Sequence, residues 1–256
     1  MTEESSVVLY TIDGSIARIT LNRPEKRNAL NDALVAGIKD ALKKASHDEQ
    51  VRVVVITGSG KDFCSGADLS ALQKISGATV DQNVEDARAL LELFLLIRQV
   101  SVPVVAAVKG RALAGGCGLA SACDLVLATE PARFGYPEVK IGFVPAIVMA
   151  ILRRNVSEKR AFELITRGAE ISAGEAKQFG LVNQVFTEET FESEVTAYVS
   201  EFERMSKSAV ALTKSLLYQI DGLSFADALE TGTDVNVIAR LTKDCQERIA
   251  QFLKKS

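Results

Sequence analysis

Residues 103–128 read PVVAAVKGRALAGGCGLASACDLVLA, and this stretch decides the fold class. Pro103–Val108 and the shorter run Leu125–Ala128 have the nearly continuous apolar character of strands buried on both faces of a parallel sheet. Between them, the small residues at 113–119 run into a helical pattern. A strand, a helix and a second strand in this order predict the parallel crossover of an α/β protein.

The segments that precede and follow this unit continue the alternation of strands and helices. Ser15–Leu21 alternates polar and apolar residues, Val51–Thr57 is mostly β-branched, and Leu30–Ser46 has helical spacing. The capping box at 172–175, SAGE, predicts the start of a short helix that Gly180 ends, before the strand-like Leu181–Phe186.

Strand signals stop near residue 190, and helical patterns follow. We therefore predict an α/β core over residues 1–190 and a helical C-terminal region over residues 191–256. The chain of 256 residues, 47% of them hydrophobic, is long enough to bury a sizeable core.

Composition and charge argue against several classes of function. The formal net charge of -3 lacks the basic excess of a nucleic-acid-binding protein. The longest apolar stretch, Phe143–Leu152, is too short to span a bilayer. The first residues, MTEESSVV, are acidic and show no secretory leader, and the four cysteines form no CxxC pair. We therefore expect a cytoplasmic protein with buried free thiols that binds neither nucleic acid nor membranes.

Two glycine-rich stretches and the single histidine do not fit the sites they suggest. Gly58–Lys61 resembles a phosphate loop, but Val55 and Asp62 stand where that motif requires Gly and Ser or Thr. Gly115–Gly118 lacks the spacing of a dinucleotide fingerprint. His47 lies among charged residues, which argues against Ser–His or Cys–His hydrolysis and against a histidine-based zinc site. The sequence therefore predicts no metal site.

Three short segments carry candidate chemistry. The loop DFCSGADL at 62–69 leaves the strand Val51–Thr57, and the loop LAGGCGL at 113–119 follows the strand Pro103–Val108. Small residues let a ligand approach the backbone, and free N–H groups at a helix start favour negative charge. Facing each other, the two loops would form an oxyanion hole, although each loop alone is better explained by turn and packing residues. The third segment, FGYPE at 134–138, ends in a carboxylate.

Four motifs, in order and spacing, resemble the enoyl-CoA hydratase/isomerase (crotonase) family. They are NRPEKRNAL at 22–30, FCSGADL at 63–69, ALAGGCGLASACDL at 112–125 and FGYPEVKIGFVP at 134–145. The resemblance implies an α/β fold, a crotonase-like spiral of ββα units with a helical C-terminal trimerisation region, and hence a homotrimer or a dimer of trimers. It also implies an acyl-CoA thioester as substrate and no cofactor, because coenzyme A is part of that substrate.

The same resemblance assigns roles to residues by position. The N–H groups of Ala67 and Gly115 are expected to bind the thioester carbonyl oxygen and to stabilise the enolate. The residues expected to bind the substrate and its coenzyme A are Arg23, Lys26, Ala29, Ala67, Asp68, Leu69, Ser70 and Gly115. Asp68 and Asp124 are expected to cap turns rather than to transfer protons.

Position 118 departs from the hydratase pattern. Hydratases of the family present two glutamates, of which one matches Glu138 and the other would stand where this chain has Gly118, three residues after the oxyanion-hole glycine. A single carboxylate beside an oxyanion hole suffices to move a proton between two carbons of an enoyl-CoA. Glu138 is therefore the predicted general acid/base, with a pKa raised by an apolar pocket, and double-bond isomerisation is the predicted reaction.

Two alternatives stay open. One is a hydratase, for instance for a branched or dicarboxylic enoyl-CoA, in which another group compensates for the missing glutamate. Glu85, Asp86 and Glu130 are weak candidates for that group, and Tyr136 is expected to pack instead. The other alternative is an acyl-CoA-binding protein without catalysis.

Overall fold

The computed structural model describes residues 6–68, 70–71, 73 and 77–254, and the structural statements that follow concern those residues. The strands in chain order are β1 (Val8–Asp13), β2 (Ile16–Leu21), β3 (Val53–Gly58), β4 (Val104–Val108), β5 (Arg111–Leu113), β6 (Leu125–Thr129), β7 (Arg133–Gly135), β8 (Glu170–Ser172) and β9 (Gln184–Phe186).

The α-helices follow the same order. They are α1 (Asp32–His47), α2 (Val80–Gln99), α3 (Gly115–Ala122), α4 (Ala146–Asn155), α5 (Glu158–Arg167), α6 (Ala173–Phe179), α7 (Phe191–Ser200), α8 (Lys207–Gln219), α9 (Phe225–Leu241) and α10 (Lys243–Leu253). Short 3-10 helices cover Pro24–Lys26, Pro137–Ile141 and Glu201–Arg204.

Two sheets organise the chain. The larger has the order β1-β2-β3-β4-β6-β9, in which β1 and β2 are antiparallel and every later pair is parallel. The smaller has the order β5-β7-β8, with β5 parallel and β8 antiparallel to β7. The mixed α/β class predicted from the apolar runs is confirmed.

The central strands of the larger sheet are buried on both faces, which explains why they are almost purely apolar. Val54 and Val104 pair across β3 and β4 and face the main core, to which α1 and α2 contribute. Val55 and Val105 pair one register step along and face a second cluster, which α7 closes with Phe191. A strand with apolar contacts on both faces has no position for polar alternation.

Most predicted boundaries hold to within two residues, and one predicted strand is too long. Helix α1 begins after Asn31, whose side chain accepts the Leu34 N–H, and α6 carries the predicted capping box. The predicted strand Leu181–Phe186 shortens to β9, because Leu181 donates its N–H to Ala176 O at the end of α6.

From Phe191 onward the described residues form helices joined by short loops, and α8 is held to the core by a buried lysine. Lys214 Nζ lies 2.7 Å from Asp124 Oδ2 and donates to the carbonyls of Ile97 and Val102. Helices α9 and α10 bury no residue in the single chain. Within the described parts of the chain, no helix is long and apolar enough to cross a membrane.

Candidate active site

The loop that follows β3 is held by a ladder of backbone hydrogen bonds to residues 27–30. Leu30 donates its N–H to Gly66 O over 2.7 Å, and Asp68 donates to Leu30 O over 2.9 Å. Because Leu30 bonds to the residues on either side of Ala67, the N–H of Ala67 faces away from this ladder. Among the described residues that N–H has no acceptor.

The second loop ends at the start of α3. Ala114 donates its N–H to Gly135 O, and the first helical bond runs from Gly118 N–H to Ala114 O over 2.9 Å. The Gly115 N–H therefore belongs to the first turn of a helix, where donors have no intrahelical acceptor. Ala114 has φ 49° and ψ -125°, a conformation that normally requires glycine, so backbone strain is stored at this turn.

The two loops are in direct contact. Cys64 and Ala112 form a parallel bridge, and a Cβ added to Gly66 would lie 2.8 Å from Ala114 Cβ and 3.6 Å from Gly115 N. Gly116 has no room for a side chain either, because its Cβ would lie 2.3 Å from Cys64 O. The structure therefore brings the two predicted donor loops together, and glycines make that approach possible.

Glu138 lies on the 3-10 helix Pro137–Ile141, which follows β7. Its carbonyl accepts the Phe143 N–H, but its carboxylate Oε2 is buried and has no partner among the described residues. Burial raises the pKa of Glu138, against a smaller lowering by its own backbone N–H. Burial of Oε2 without a partner makes the ionised carboxylate more expensive, so Glu138 is suited to exchange a proton rather than to hold an ion pair.

Glu138 and α3 interact electrostatically. Burial raises the pKa of Cys117 to about 11, and the charge of Glu138 contributes to that rise.

Tyr136 is fully buried, and its hydroxyl is 2.9 Å from Ser121 Oγ, which donates to Cys117 O. The predicted packing role of Tyr136 is confirmed. The remaining acidic candidates Glu85, Asp86 and Glu130 are exposed.

Position 118 has no space for a second carboxylate. A Cβ on Gly118 would lie 2.3 Å from Val148 Cγ1 and 3.3 Å from Phe94 Cζ. The sequence shows that this position lacks the glutamate, but it does not show that α2 and α4 fill the space. Neither Val148 nor Phe94 has a sequence signal beyond its apolar helical spacing.

Arg23 and Asp68 form an ion pair beside the first loop. Arg23 Nη2 lies 2.7 Å from Asp68 Oδ2, and Nη1 donates to Ala29 O. Asp68 Oδ1 accepts from both the N–H and the hydroxyl of Ser70, so Asp68 caps this turn as predicted. The Ser70 N–H and the Arg23 guanidinium lower the pKa of Asp68 to about 2. The pair therefore ties residue 23 to the loop that carries Ala67.

The other residues predicted to bind coenzyme A are placed as follows. Lys26 is exposed and has no carboxylate partner within the described chain, whereas Ala29 is buried. Leu69 lies outside the described residues. Lys26 is thus a cation available for phosphate, and Arg23 has its charge partly compensated by Asp68.

Asn28 is a supporting residue that the sequence argument missed. It is fully buried with φ 53°, its Oδ1 accepts the Arg23 N–H, and its Nδ2 donates to Ser59 O and Asp62 O. It therefore holds the Arg23 segment against the turn that follows β3. Its signal is an asparagine in a tight turn, where that residue tolerates a left-handed backbone.

The histidine and three of the four cysteines are placed as expected from the sequence. His47 is the exposed last residue of α1 and hydrogen-bonds to the Lys43 carbonyl. The cysteines expected to be buried free thiols are all free, and Cys64, Cys117 and Cys123 are buried, but Cys245 is only partly buried. Burial raises the pKa of Cys64 to about 12, so this thiol is not a nucleophile at neutral pH.

Comparison with known proteins identifies similar sequences and folds. The family model described as enoyl-CoA hydratase/isomerase matches residues 11–256. A Thermus thermophilus protein, provisionally named an enoyl-CoA hydratase, is 40% identical over 242 residues, 94% of this chain and 96% of that protein. The 2,3-dehydroadipyl-CoA hydratase of Escherichia coli is 36% identical over 239 residues, 93% of this chain and 91% of the relative.

A solved structure shares the fold. The crystal structure of an enoyl-CoA hydratase from Mycobacterium smegmatis superposes with a TM-score of 0.92 at 32% sequence identity, covering 97% of this chain and 96% of that chain. The crotonase fold expected from the four motifs is therefore confirmed.

Proposed function

The chain belongs to the enoyl-CoA hydratase/isomerase family, and on that premise we propose that it shifts the double bond of an enoyl-CoA with Glu138 as its single acid/base. It is an enzyme of that family, acting on acyl-CoA. The proposed part is the reaction and the residues that perform it.

The proposed reaction starts with Glu138 removing a proton from C2 of a 3-enoyl-CoA. The electrons of the C2–H bond form a C1–C2 double bond while the carbonyl π electrons move onto the thioester oxygen, which gives a dienolate. The N–H groups of Ala67 and Gly115 donate to that oxygen, and each such donor typically lowers the barrier by about 3 kcal/mol. The same Glu138 carboxyl then returns the proton to C4, so that a 2-enoyl-CoA leaves and the carboxylate is regenerated. When C4 is protonated, the C3–C4 π electrons form the new C4–H bond, the C1–C2 π electrons form the C2–C3 double bond, and the thioester carbonyl is restored.

The observation that carries this proposal is the contrast between Glu138 and position 118. Glu138 Oε2 is buried without a partner in the described chain, whereas a side chain at position 118 would collide with Val148. Water addition is served by one group that activates water and another that protonates the α-carbon. One available carboxylate favours proton relocation.

Hydration is the competing function, and the names of the relatives favour it. Both sequence relatives described above are named as hydratases, one of them for a dicarboxylic enoyl-CoA. A hydratase here would need a group other than a glutamate at position 118. Binding of acyl-CoA without catalysis is a third candidate function. The burial of Glu138 Oε2 without a partner in the described chain argues against it.

Incubation with 2-enoyl-CoA and 3-enoyl-CoA thioesters in D2O separates these functions. The proposal predicts interconversion of the two alkenes, with deuterium incorporated at C2 or C4. Accumulation of 3-hydroxyacyl-CoA would show a hydratase, and thermal stabilisation by every thioester without turnover would show a binding protein. Either result would overturn the proposed reaction.

The residues proposed to bind the substrate and its coenzyme A are those of the two loops and of the Arg23 segment: Arg23, Lys26, Ala29, Ala67, Asp68, Leu69, Ser70 and Gly115. Exposed Lys26 would meet the phosphates as a point charge. No cofactor takes part in the proposed reaction, since coenzyme A arrives with the substrate.

The proposed assembly is a homotrimer or a dimer of trimers, formed through the C-terminal helices. Phe225 of α9 is 82% exposed and Leu241 is 77% exposed in the single chain, which supports burial against another copy. Sedimentation equilibrium should return a mass of three or six chains. The proposed location is the cytoplasm, supported by the free thiols.

A further inference from the structure

Position 118 is filled by its neighbours. A Cβ added to Gly118 would lie 2.3 Å from Val148 Cγ1, 3.1 Å from Val148 Cβ and 3.3 Å from Phe94 Cζ. Real Cβ atoms essentially never lie within 3.0 Å of a non-bonded heavy atom, so even a methyl group requires some part of the protein to move.

Val148 cannot clear this space by rotating its side chain. Its Cβ, which the backbone of α4 fixes, already lies 3.1 Å from the added carbon. A β-branched residue in a helix also has one strongly preferred χ1. Val148 is 4% exposed and Phe94 is 3% exposed, and both belong to the main core. Only a shift of α4 relative to α3 would make room.

The closed space lies where a second acid/base group would have to stand. Gly118 is one helical turn beyond Gly115, the residue whose N–H is proposed to bind the thioester oxygen. The groups nearest to position 118 are a valine methyl and a phenylalanine ring. A buried water needs two to four polar partners, and these neighbours offer none. Among the described residues, the atoms nearest to position 118 therefore offer neither a carboxylate nor polar partners for a bound water.

We propose that Val148 is the specificity-determining residue that restricts this site to one-carboxylate chemistry. Replacing Gly118 by glutamate is not sufficient to create a hydratase, because Val148 occupies the space. This inference rests on the proposed proton-transfer function of Glu138. It goes beyond that function by assigning the choice between proton relocation and water addition to a residue of α4.

A double-mutant cycle on Tm tests the steric relationship without reference to activity. Gly118→Ala should lower Tm by about 5 °C through overpacking. The matched control Gly174→Ala, at an exposed position in α6 where the nearest atom would lie 4.0 Å from the added carbon, should leave Tm unchanged or raise it. In a Val148→Gly background, which removes both the Cγ1 and the Cβ contacts, Gly118→Ala should lower Tm much less. If Gly118→Ala lowered Tm equally whether Val148 is present or replaced, the proposal would be overturned.

A gain of hydration tests the chemical consequence. The double variant Gly118→Glu/Val148→Gly should hydrate 2-enoyl-CoA at least about tenfold faster than wild type. The isosteric control Gly118→Gln/Val148→Gly, which has no acid/base group, should not. Equal hydration by the two double variants, or none by either in folded protein, would overturn the proposal.

The two measurements separate this inference from the proposed function. If wild type shifts no double bond in any thioester, the function of Glu138 is wrong, yet the Tm cycle still reports on Val148. If wild type isomerises and the cycle shows no coupling, the role of Val148 is wrong and the function of Glu138 stands.

Discussion

Gly66 and Ala114 touch across the two loops of the candidate oxyanion hole. A Cβ on Gly66 would lie 2.8 Å from Ala114 Cβ and 3.1 Å from Leu113 O. Ala114 itself has a positive φ of 49°. The contact therefore requires a glycine on one side and a strained backbone on the other. Small residues at these positions set how closely the N–H groups of Ala67 and Gly115 approach.

Gly66→Ala should separate the two loops. Because the added methyl meets Ala114, the two N–H donors should move apart, and kcat/KM should fall by about 10²-fold or more, the usual loss for one oxyanion-hole donor. Steady-state kinetics with an enoyl-CoA measures the effect. Gly222→Ala is the matched control, since Gly222 has φ +95° against +98° at Gly66 but nothing within 4 Å. Equal losses of kcat/KM in Gly66→Ala and Gly222→Ala would show that the contact between Gly66 and Ala114 has no role in catalysis.

Glu138→Gln should abolish turnover and leave acyl-CoA binding intact. Loss of a sole acid/base should lower kcat by about 10³-fold or more. In wild type, kcat/KM should fall as the pH is lowered through a pKa above the usual 4.5, because only the ionised carboxylate removes a proton. Stopped assays across pH, with calorimetric binding of a saturated acyl-CoA, measure both quantities. A variant that retains turnover would contradict the assignment.

The same substitution should not destabilise the protein at pH 7. Burial raises the folded-state pKa of Glu138, so the folded state holds this proton more tightly than the unfolded state. The stability contributed by that proton is present at low pH and is lost as the pH rises through the folded pKa. Removing the charge should therefore leave Tm at pH 7 equal to or above that of wild type. A clear fall in Tm would indicate a structural role for the carboxylate.

Asp68 should contribute to acid sensitivity. Its pKa is lowered to about 2 from 3.8 by the Ser70 N–H and Arg23, so the stability it contributes is present above 3.8 and is lost as the pH falls through about 2. Asp68→Asn should flatten the dependence of the unfolding free energy on pH between about 4 and 2. Urea titrations at several pH values measure this. If the unfolding free energy of Asp68→Asn depended on pH as steeply as that of wild type, the Arg23–Asp68 pair would contribute nothing to stability.

The fold could be predicted from sequence where a local residue pattern is compatible with only one kind of structure. The apolar runs of β3 and β4 are buried on both faces, and the capping box of α6 uses local hydrogen bonds alone. The fit of Val148 against Gly118 depends on how α4 packs on α3, which no local pattern encodes. The donor loops were located through four ordered motifs, and their contact became visible only in the structure.

The buried ion pair of Lys214 also could not be predicted from the local sequence. In sequence Lys214 is one lysine of an amphipathic helix, yet it is 7% exposed and binds Asp124 and two backbone carbonyls. Lys214→Met should cost about 3–5 kcal/mol, because it removes the buried cation that pairs with the partly buried Asp124 carboxylate. Lys243→Met, which breaks the exposed pair with Glu247, should cost under about 1 kcal/mol. Chemical denaturation measures the free energy of unfolding of both variants. Equal losses in the two would contradict a stabilising role for the Lys214 contacts.

The central claim is that the N–H groups of Ala67 and Gly115 polarise a bound thioester, and the infrared stretch of a ¹³C-labelled thioester carbonyl tests it most directly. In the complex of the wild-type protein with a labelled acyl-CoA, the stretch should lie at lower frequency than in water. In Gly66→Ala it should return towards the water value, and in Gly222→Ala it should not. A wild-type frequency equal to that in water would contradict the account.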